Sequence, residues 1–195
     1  MIKNDIQNNL IEVGTRIILE KGYHGAGLQE ILAAANVPKG SFYYYFKSKE
    51  DFCVAMINHF TAEYAEKRLS LLSDPSTPAR ERLQSFFAIE RDNYQVQDCP
   101  LGCLGVKLIM EMSRLSQPIR IVLQQAVDTW VRAVATCLQN GVDAHEFQLE
   151  QSPEVTAELI NAIWIGAIAR VLASQSVAPM DVVIAYIMHQ ICHIP

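Results

Sequence analysis

Apolar residues recur along the 195-residue chain at the three-and-four spacing of an α-helix, and strand-like alternation is absent. Ile6, Leu10, Val13 and Ile17 share one helical face, with Gly14 and Ile18 on the same side, and Gly22 is placed to end that first helix. Gly25 and Gly27 then punctuate a tight turn. A short Ala-rich helix follows, with Leu28, Ile31 and Leu32 inward and its end near Asn36. Pro38, tolerated at a first helical position, opens another short helix. Ser48 reads as the N-cap of a long helix running to about Leu72, with Glu50 and Asp51 in a first turn that favours acids.

DPSTP, Asp74 to Pro78, is the clearest linker. Beyond it, apolar-periodic stretches cover about 79–97, 101–114, 118–140, 153–174 and 179–192. Breaks between them fall at Asp98–Pro100, Ser116–Pro118, Asn140–Gly141 and Ala178–Pro179. The expected fold is all-α: a three-helix helix-turn-helix domain over 1–49, then a larger helical bundle over 50–195.

Composition and charge refine this picture. Half of the residues are hydrophobic, enough for a sizeable core. No apolar run approaches the roughly 18 residues of a membrane span. The opening MIKNDIQNNL lacks the apolar segment of a signal peptide, so a cytoplasmic protein with no membrane partner is expected. A net charge of −5 argues against non-specific nucleic-acid binding by the whole molecule. The charge is uneven, however: residues 1–49 balance at +2 and the remainder at −7. That split suits a polyanion-binding end on an acidic body. The five cysteines, Cys53, Cys99, Cys103, Cys137 and Cys192, form no C-x-x-C pair and are expected as reduced thiols.

The segment VPKGSFYYYFKSK, Val37 to Lys49, packs five aromatics side by side among lysines. On a helix Phe42 and Phe46 share one face and suit a core, while Tyr43, Tyr44 and Tyr45 spread round the others. Leu28–Ala35, the turn Asn36-Val37-Pro38, and Lys39–Phe46 together have the form of a helix-turn-helix. Lys39 and Ser41 lie in the first turn of the second helix, within reach of phosphates or base edges. The tyrosines can offer hydroxyls to phosphates and ring edges to thymine methyls, and Lys47 and Lys49 can meet phosphates as point charges.

GYHGAGLQEILAAANVPKGSFYYYFKSKEDF closely resembles the N-terminal domain of TetR-family regulators. Gly22, Tyr23, Glu30, Ile31, Ala35 to Tyr43, Tyr45, Phe46 and Ser48 to Glu50 all match that pattern. Two positions depart from it: Leu32 stands where the family usually has Ala, and Ala26-Gly27 replaces the usual Thr-Ser cap of the second helix. Gly27 can still serve as the cap, which leaves phosphate contact there to backbone N–H groups. The resemblance implies DNA contact by Gly27, Lys39, Gly40, Ser41, Tyr43, Tyr44, Tyr45 and Lys49. Tyr43 and Lys49 would hold phosphates, and Lys39, Ser41 and Tyr44 would face base edges. It further implies a homodimer on a palindromic double-stranded operator, and a larger domain that senses a small-molecule inducer.

Aromatics available for a ligand pocket are Phe60, Tyr64, Phe86, Phe87, Tyr94, Trp130 and Trp164, with Met110 beside them, although core packing is the simpler account of each. Gly166, Ala167 and Ala169, with Tyr186 and the apolar face from Val182 to Ile191, suit a helical dimer interface. In DCPLGCLGVKL, Asp98 to Leu108, Asp98 can cap a helix, Pro100 fits its first turn, and Cys103 falls near its start. A helix N-terminus stabilises a thiolate, Lys107 four residues on adds a positive neighbour, and Cys99 could act as a resolving thiol. The alternative is that Cys103 is a small buried hydrophobe. GCLGVKL and the later IWIGA resemble those family members that respond to electrophiles. This implies Cys103 as the sensing thiol, with Leu172 where those proteins carry a partnering lysine.

His189, Cys192 and His193 have metal-ligand spacing, but no nearby acid completes a set, and histidines at a cation-favouring helix end are the simpler account. No metal or cofactor is expected. A catalytic cysteine would need His59 or His145, and no spacing supports either, so the chain is not read as an enzyme.

Overall fold

The computed structural model describes residues 2–96 and 103–191. The elements are α1 (Ile2–Gly25), α2 (Leu28–Ala34), α3 (Lys39–Tyr45), α4 (Lys49–Lys67), a 3-10 turn (Leu69–Ser73), α5 (Ala79–Val96), α6 (Leu104–Met112), α7 (Gln117–Asp143), α8 (Pro153–Ser174), α9 (Ala178–Tyr186) and a π-turn (Ile187–Ile191). The all-α expectation holds over these residues.

The chain forms two compact units: Met1–Ala62 with Cys103–Ala126, and Glu63–Gly102 with Val127–Pro195. This differs from a division after residue 49. The first unit keeps the start of α4 and also recruits α6 and the start of α7, because α6 packs along α1. Leu108 and Met112 of α6 and Ile119 and Leu123 of α7 are buried in one cluster with Leu10, Ile18, Ile31, Phe42, Phe52 and Met56. Burying each such side chain contributes about 1.5–3 kcal/mol.

Gly22 ends the regular part of the first helix, as expected, with φ 79° and ψ 168°. Neither Gly25 nor Gly27 has a positive φ, so Gly22 makes the turn. That backbone region is essentially reserved for glycine, and a Cβ there would also stand 2.9 Å from Glu111 Oε2. Gly22→Ala is therefore expected to destabilise the fold by about 1–3 kcal/mol in urea unfolding.

Other boundaries moved for local reasons. Pro38 caps α3 from outside, with ψ 144°, rather than occupying its first position. Ser48 caps α4 through its Oγ, which accepts from Asp51 N at 3.0 Å. α4 ends at Lys67, where a 3-10 turn takes over and buries Leu69 and Leu72. Asp74 closes the linker by accepting from the Ser76 N–H at 2.9 Å and the Ser76 hydroxyl at 2.7 Å. α7 runs through Asn140–Gly141 to Asp143. Gly141 serves packing there, since a Cβ would lie 2.2 Å from the Phe147 ring. α8 starts at Pro153, with the Ser152 hydroxyl accepting from Val155 N at 3.3 Å.

α8 also corrects the reading that no apolar run reaches membrane length. Its 22 residues include a window of mean hydropathy 1.5. Ile160, Trp164, Ala167, Ile168 and Val171 are buried within the second unit, as in the core helix of a bundle. Ala167 therefore faces inward, while Gly166 and Ala169 stay exposed.

Candidate nucleic-acid interface and sensing thiol

In the first unit, α2 and α3 are joined by a turn built from side chain and backbone together. Asn36 takes a left-handed φ of 54°, a conformation asparagine tolerates, and Val37 N donates to Leu32 O at 2.9 Å. Asn9 on α1 donates through Nδ2 to Ala35 O at 2.9 Å. The position of α3 is thus fixed at its entry by hydrogen bonds and along its length by Phe42, which is fully buried, and by Phe46 just beyond its end.

Helical spacing sorts the aromatic run as expected. Tyr43 and Tyr44 are 53% and 68% exposed. Lys39, Gly40 and Lys47 are exposed, and Ser41 is half-buried. A Cβ on Gly40 would meet nothing within 4 Å, so nothing inside the protein requires glycine there. Gly40 is the second residue of α3, and a position without a side chain on an open face suits a partner that approaches the backbone closely. Tyr45 is half-buried and packs against the core. Gly27 caps α2 with extended backbone and no side-chain hydrogen bond.

Lys49 stands apart from the set. Its Nζ donates to the Tyr23 carbonyl and lies 4.4 Å above the Tyr23 ring. Burial lowers its pKa. Its ammonium holds the turn after α1, a different employment from the phosphate contact expected of it.

Cys103 is exposed and is itself the N-cap of α6, with φ −80° and ψ 125°. Its carbonyl accepts from Lys107 N at 3.0 Å. Capping from Asp98 and placement of Pro100 and Cys99 lie outside the described residues; the helix begins at Leu104, later than 101. Lys107 directs its Nζ to the Leu19 carbonyl on α1. Glu111, which no motif singles out, accepts from Tyr23 N at 2.8 Å and His24 N at 2.9 Å. Burial works to raise the Glu111 pKa, but the two backbone hydrogen bonds outweigh it and leave the carboxyl below its usual range. Its partners are 87 and 88 residues away, so no local pattern announces it.

The other described thiols are shut away. Burial pushes the Cys53 pKa up to about 12 and that of Cys137 up to about 11. Both are buried, with Cys137 Sγ donating to the Ala79 carbonyl at 3.5 Å. Cys192 and His193 lie outside the described residues.

The pocket candidates divide between the units. Phe60 packs against the first unit's core, and Met110, also in that unit, is 72% exposed, which corrects its assignment to a pocket lining. Phe86, Phe87, Trp130 and Trp164 form a closely packed aromatic cluster in the second unit, with centroids 5.0–6.3 Å apart. Tyr64 hydrogen-bonds Glu90, a largely buried carboxyl whose pKa is raised by that burial, and Tyr94 is half-buried. Val155, Leu159, Val182 and Tyr186 are exposed apolar residues of α8 and α9.

Comparison with known proteins follows the same lines. Residues 10–56 match the model of bacterial regulatory proteins of the tetR family, and residues 79–187 match a tetracyclin repressor-like C-terminal domain. The chain is 34% identical over 181 residues to the HTH-type transcriptional repressor DhaR of Mycobacterium sp. (strain GP1), covering 93% of this chain and 89% of that one. It is 31% identical over 185 residues to the HTH-type transcriptional repressor NemR of Escherichia coli (strain K12), covering 95% and 93%. The crystal structure of E. coli NemR in its reduced form superposes with a TM-score of 0.89 over 98% of both chains, at 31% identity. With a helix-turn-helix in the first 56 residues and a matching helical domain behind it, this chain belongs to the TetR family of bacterial regulatory proteins.

Proposed function

We propose that the protein is a homodimeric transcriptional repressor that reads a palindromic operator with α3 and is released by electrophiles or oxidants at Cys103. The observation that carries the reading is that Cys103, whose side chain is exposed, is the N-cap residue of a helix belonging to the same compact unit as the reading helix. Lys39, Ser41 and Tyr44 face base edges, and Tyr43 and Lys47 meet phosphates. Gly40 allows the approach, and Tyr45 supports the helix from its half-buried position. Exposed apolar residues on α8 and α9 are offered to a second copy, which two half-sites require. Such a protein acts on DNA in the cytoplasm.

Selectivity among the thiols follows from accessibility and ionisation. The thiolate is the nucleophile, and pKa values near 11 to 12 leave Cys53 and Cys137 protonated at neutral pH as well as buried. N-ethylmaleimide added to the native protein should label Cys103 ahead of both in peptide mass spectrometry. It should also weaken binding to DNA selected by the protein from a random library. Cys103→Ser should bind that DNA normally and resist release. Equal release of wild type and Cys103→Ser would sink the thiol reading.

That last outcome would favour a second reading, a non-covalent inducer in the second unit. Glu90 supports it: one of its carboxyl oxygens is buried beside Tyr64 with no partner among the described residues, the kind of polar group that orients a ligand among aromatics.

A further inference from the structure

Lys107 and Glu111 are four apart on α6, and Cys103, four before Lys107, is the extended residue that caps it. On an α-helix that spacing stacks side chains along one face. The face lies along α1. Lys107 donates to the carbonyl of Leu19, and Glu111 accepts from the N–H groups of Tyr23 and His24. Four residues on α6 match four on α1, so the two contacts are in register.

Their partners sit on either side of the break at Gly22. The Leu19 carbonyl belongs to the last turn before the break, and the Tyr23 and His24 amides are the first donors after it. A cation on the departing carbonyls and an anion on the arriving amides is the arrangement helix ends favour. Glu111 also depends on Gly22, since any Cβ there would crowd its carboxylate. From α4, Lys49 holds the carbonyl of the same Tyr23. Tyr23 is thus gripped through its N–H from α6 and through its C=O from α4. The turn it belongs to leads directly into α2 and α3.

We propose that Glu111 is the positioning residue through which a change at Cys103 reaches the reading helix. The proposal rests on the thiol reading above and names its route. In the reaction with N-ethylmaleimide, the Cys103 sulfur forms a bond to one alkene carbon as the C=C π bond breaks. The thiol proton leaves to solvent, and the adjacent carbon takes a proton from solvent, with no net redox change. The adduct adds bulk at the cap of α6. A tilt of α6 in response to that bulk moves Glu111 off two amides held at 2.8 and 2.9 Å. The turn after α1 then loses its grip from one side, and α2 and α3 lose their setting.

The test measures affinity for the selected DNA by fluorescence anisotropy, before and after N-ethylmaleimide, for wild type, Glu111→Ala and Glu111→Gln. Thermal unfolding is recorded for each. Glu111→Ala should bind about tenfold or more weakly before treatment and change less than about twofold after it, because its latch is already open. Glu111→Gln keeps one acceptor oxygen and should fall between, retaining part of the release. A residue with only a structural role would lower the melting temperature yet leave the treated-to-untreated ratio at the wild-type value, and that result overturns the proposal. Should Glu111→Ala not fold, the ratio in Glu111→Gln decides in the same way. A wild type that N-ethylmaleimide fails to release overturns the thiol reading and this proposal together. Wild-type release with an unchanged ratio in the Glu111 variants overturns this proposal alone.

Discussion

Phe42→Ala is expected to destabilise the first unit by about 3–5 kcal/mol in urea unfolding, the largest stability effect of any single change considered. Phe42 is fully buried, and its ring lies 5.3 Å from that of Phe46 and 5.8 Å from that of Phe52. α3 has only seven residues and no side-chain cap, so it has little helical stability of its own. Truncating Phe42 removes the transfer energy of the ring and leaves a cavity between α3 and α4. Against a typical total of about 5–15 kcal/mol, such a loss can unfold the unit. DNA binding should fall with it. A cost below about 1 kcal/mol would mean that α3 is held in place by something other than this ring.

Lys39→Ala should behave in the opposite way, with stability within about 0.5 kcal/mol of wild type and operator binding weakened by about 1–3 kcal/mol. The side chain is exposed at the first position of α3. Lysine there can donate to guanine O6 and N7. If it does, the variant loses preference at one position of each half-site. If it meets only phosphate, binding weakens evenly across sequences and the salt dependence falls by about one unit per contact. The two outcomes separate base reading from charge. Unchanged affinity and unchanged sequence preference would remove α3 from the role of reading helix.

Much of this was legible in the sequence because its signals are local. The spacing of Phe42 and Phe46 sorted core from surface within one short helix. The start of α8 at Pro153 falls where the apolar-periodic stretch over about 153–174 begins. Gly22 marked the end of the regular part of α1. What escaped depends on tertiary partners. Gly141 looked like a break, but it is a seat for Phe147 inside a continuous helix. Met110 was grouped with the pocket aromatics, but it lies two residues from the buried Leu108 and Met112, so helical spacing turns it to the open face of α6. Lys49 has the charge for a phosphate, but burial beside Tyr23 turns it inward. α8 is apolar enough that composition alone does not separate a bundle core from a membrane span. Glu111 acts across 88 residues, and its importance shows only when α6 is laid against α1. The helix that Cys103 caps belongs to the same compact unit as the reading helix, Met1–Ala62 with Cys103–Ala126.

Whether α3 of a symmetric dimer reads DNA is tested by selection of binding sequences from a random double-stranded library by the wild-type protein. Enrichment of a two-fold symmetric sequence is expected, with half-sites about one helical turn, or a multiple of it, apart. Recovery of no enriched sequence, or of one without two-fold symmetry, would contradict that reading.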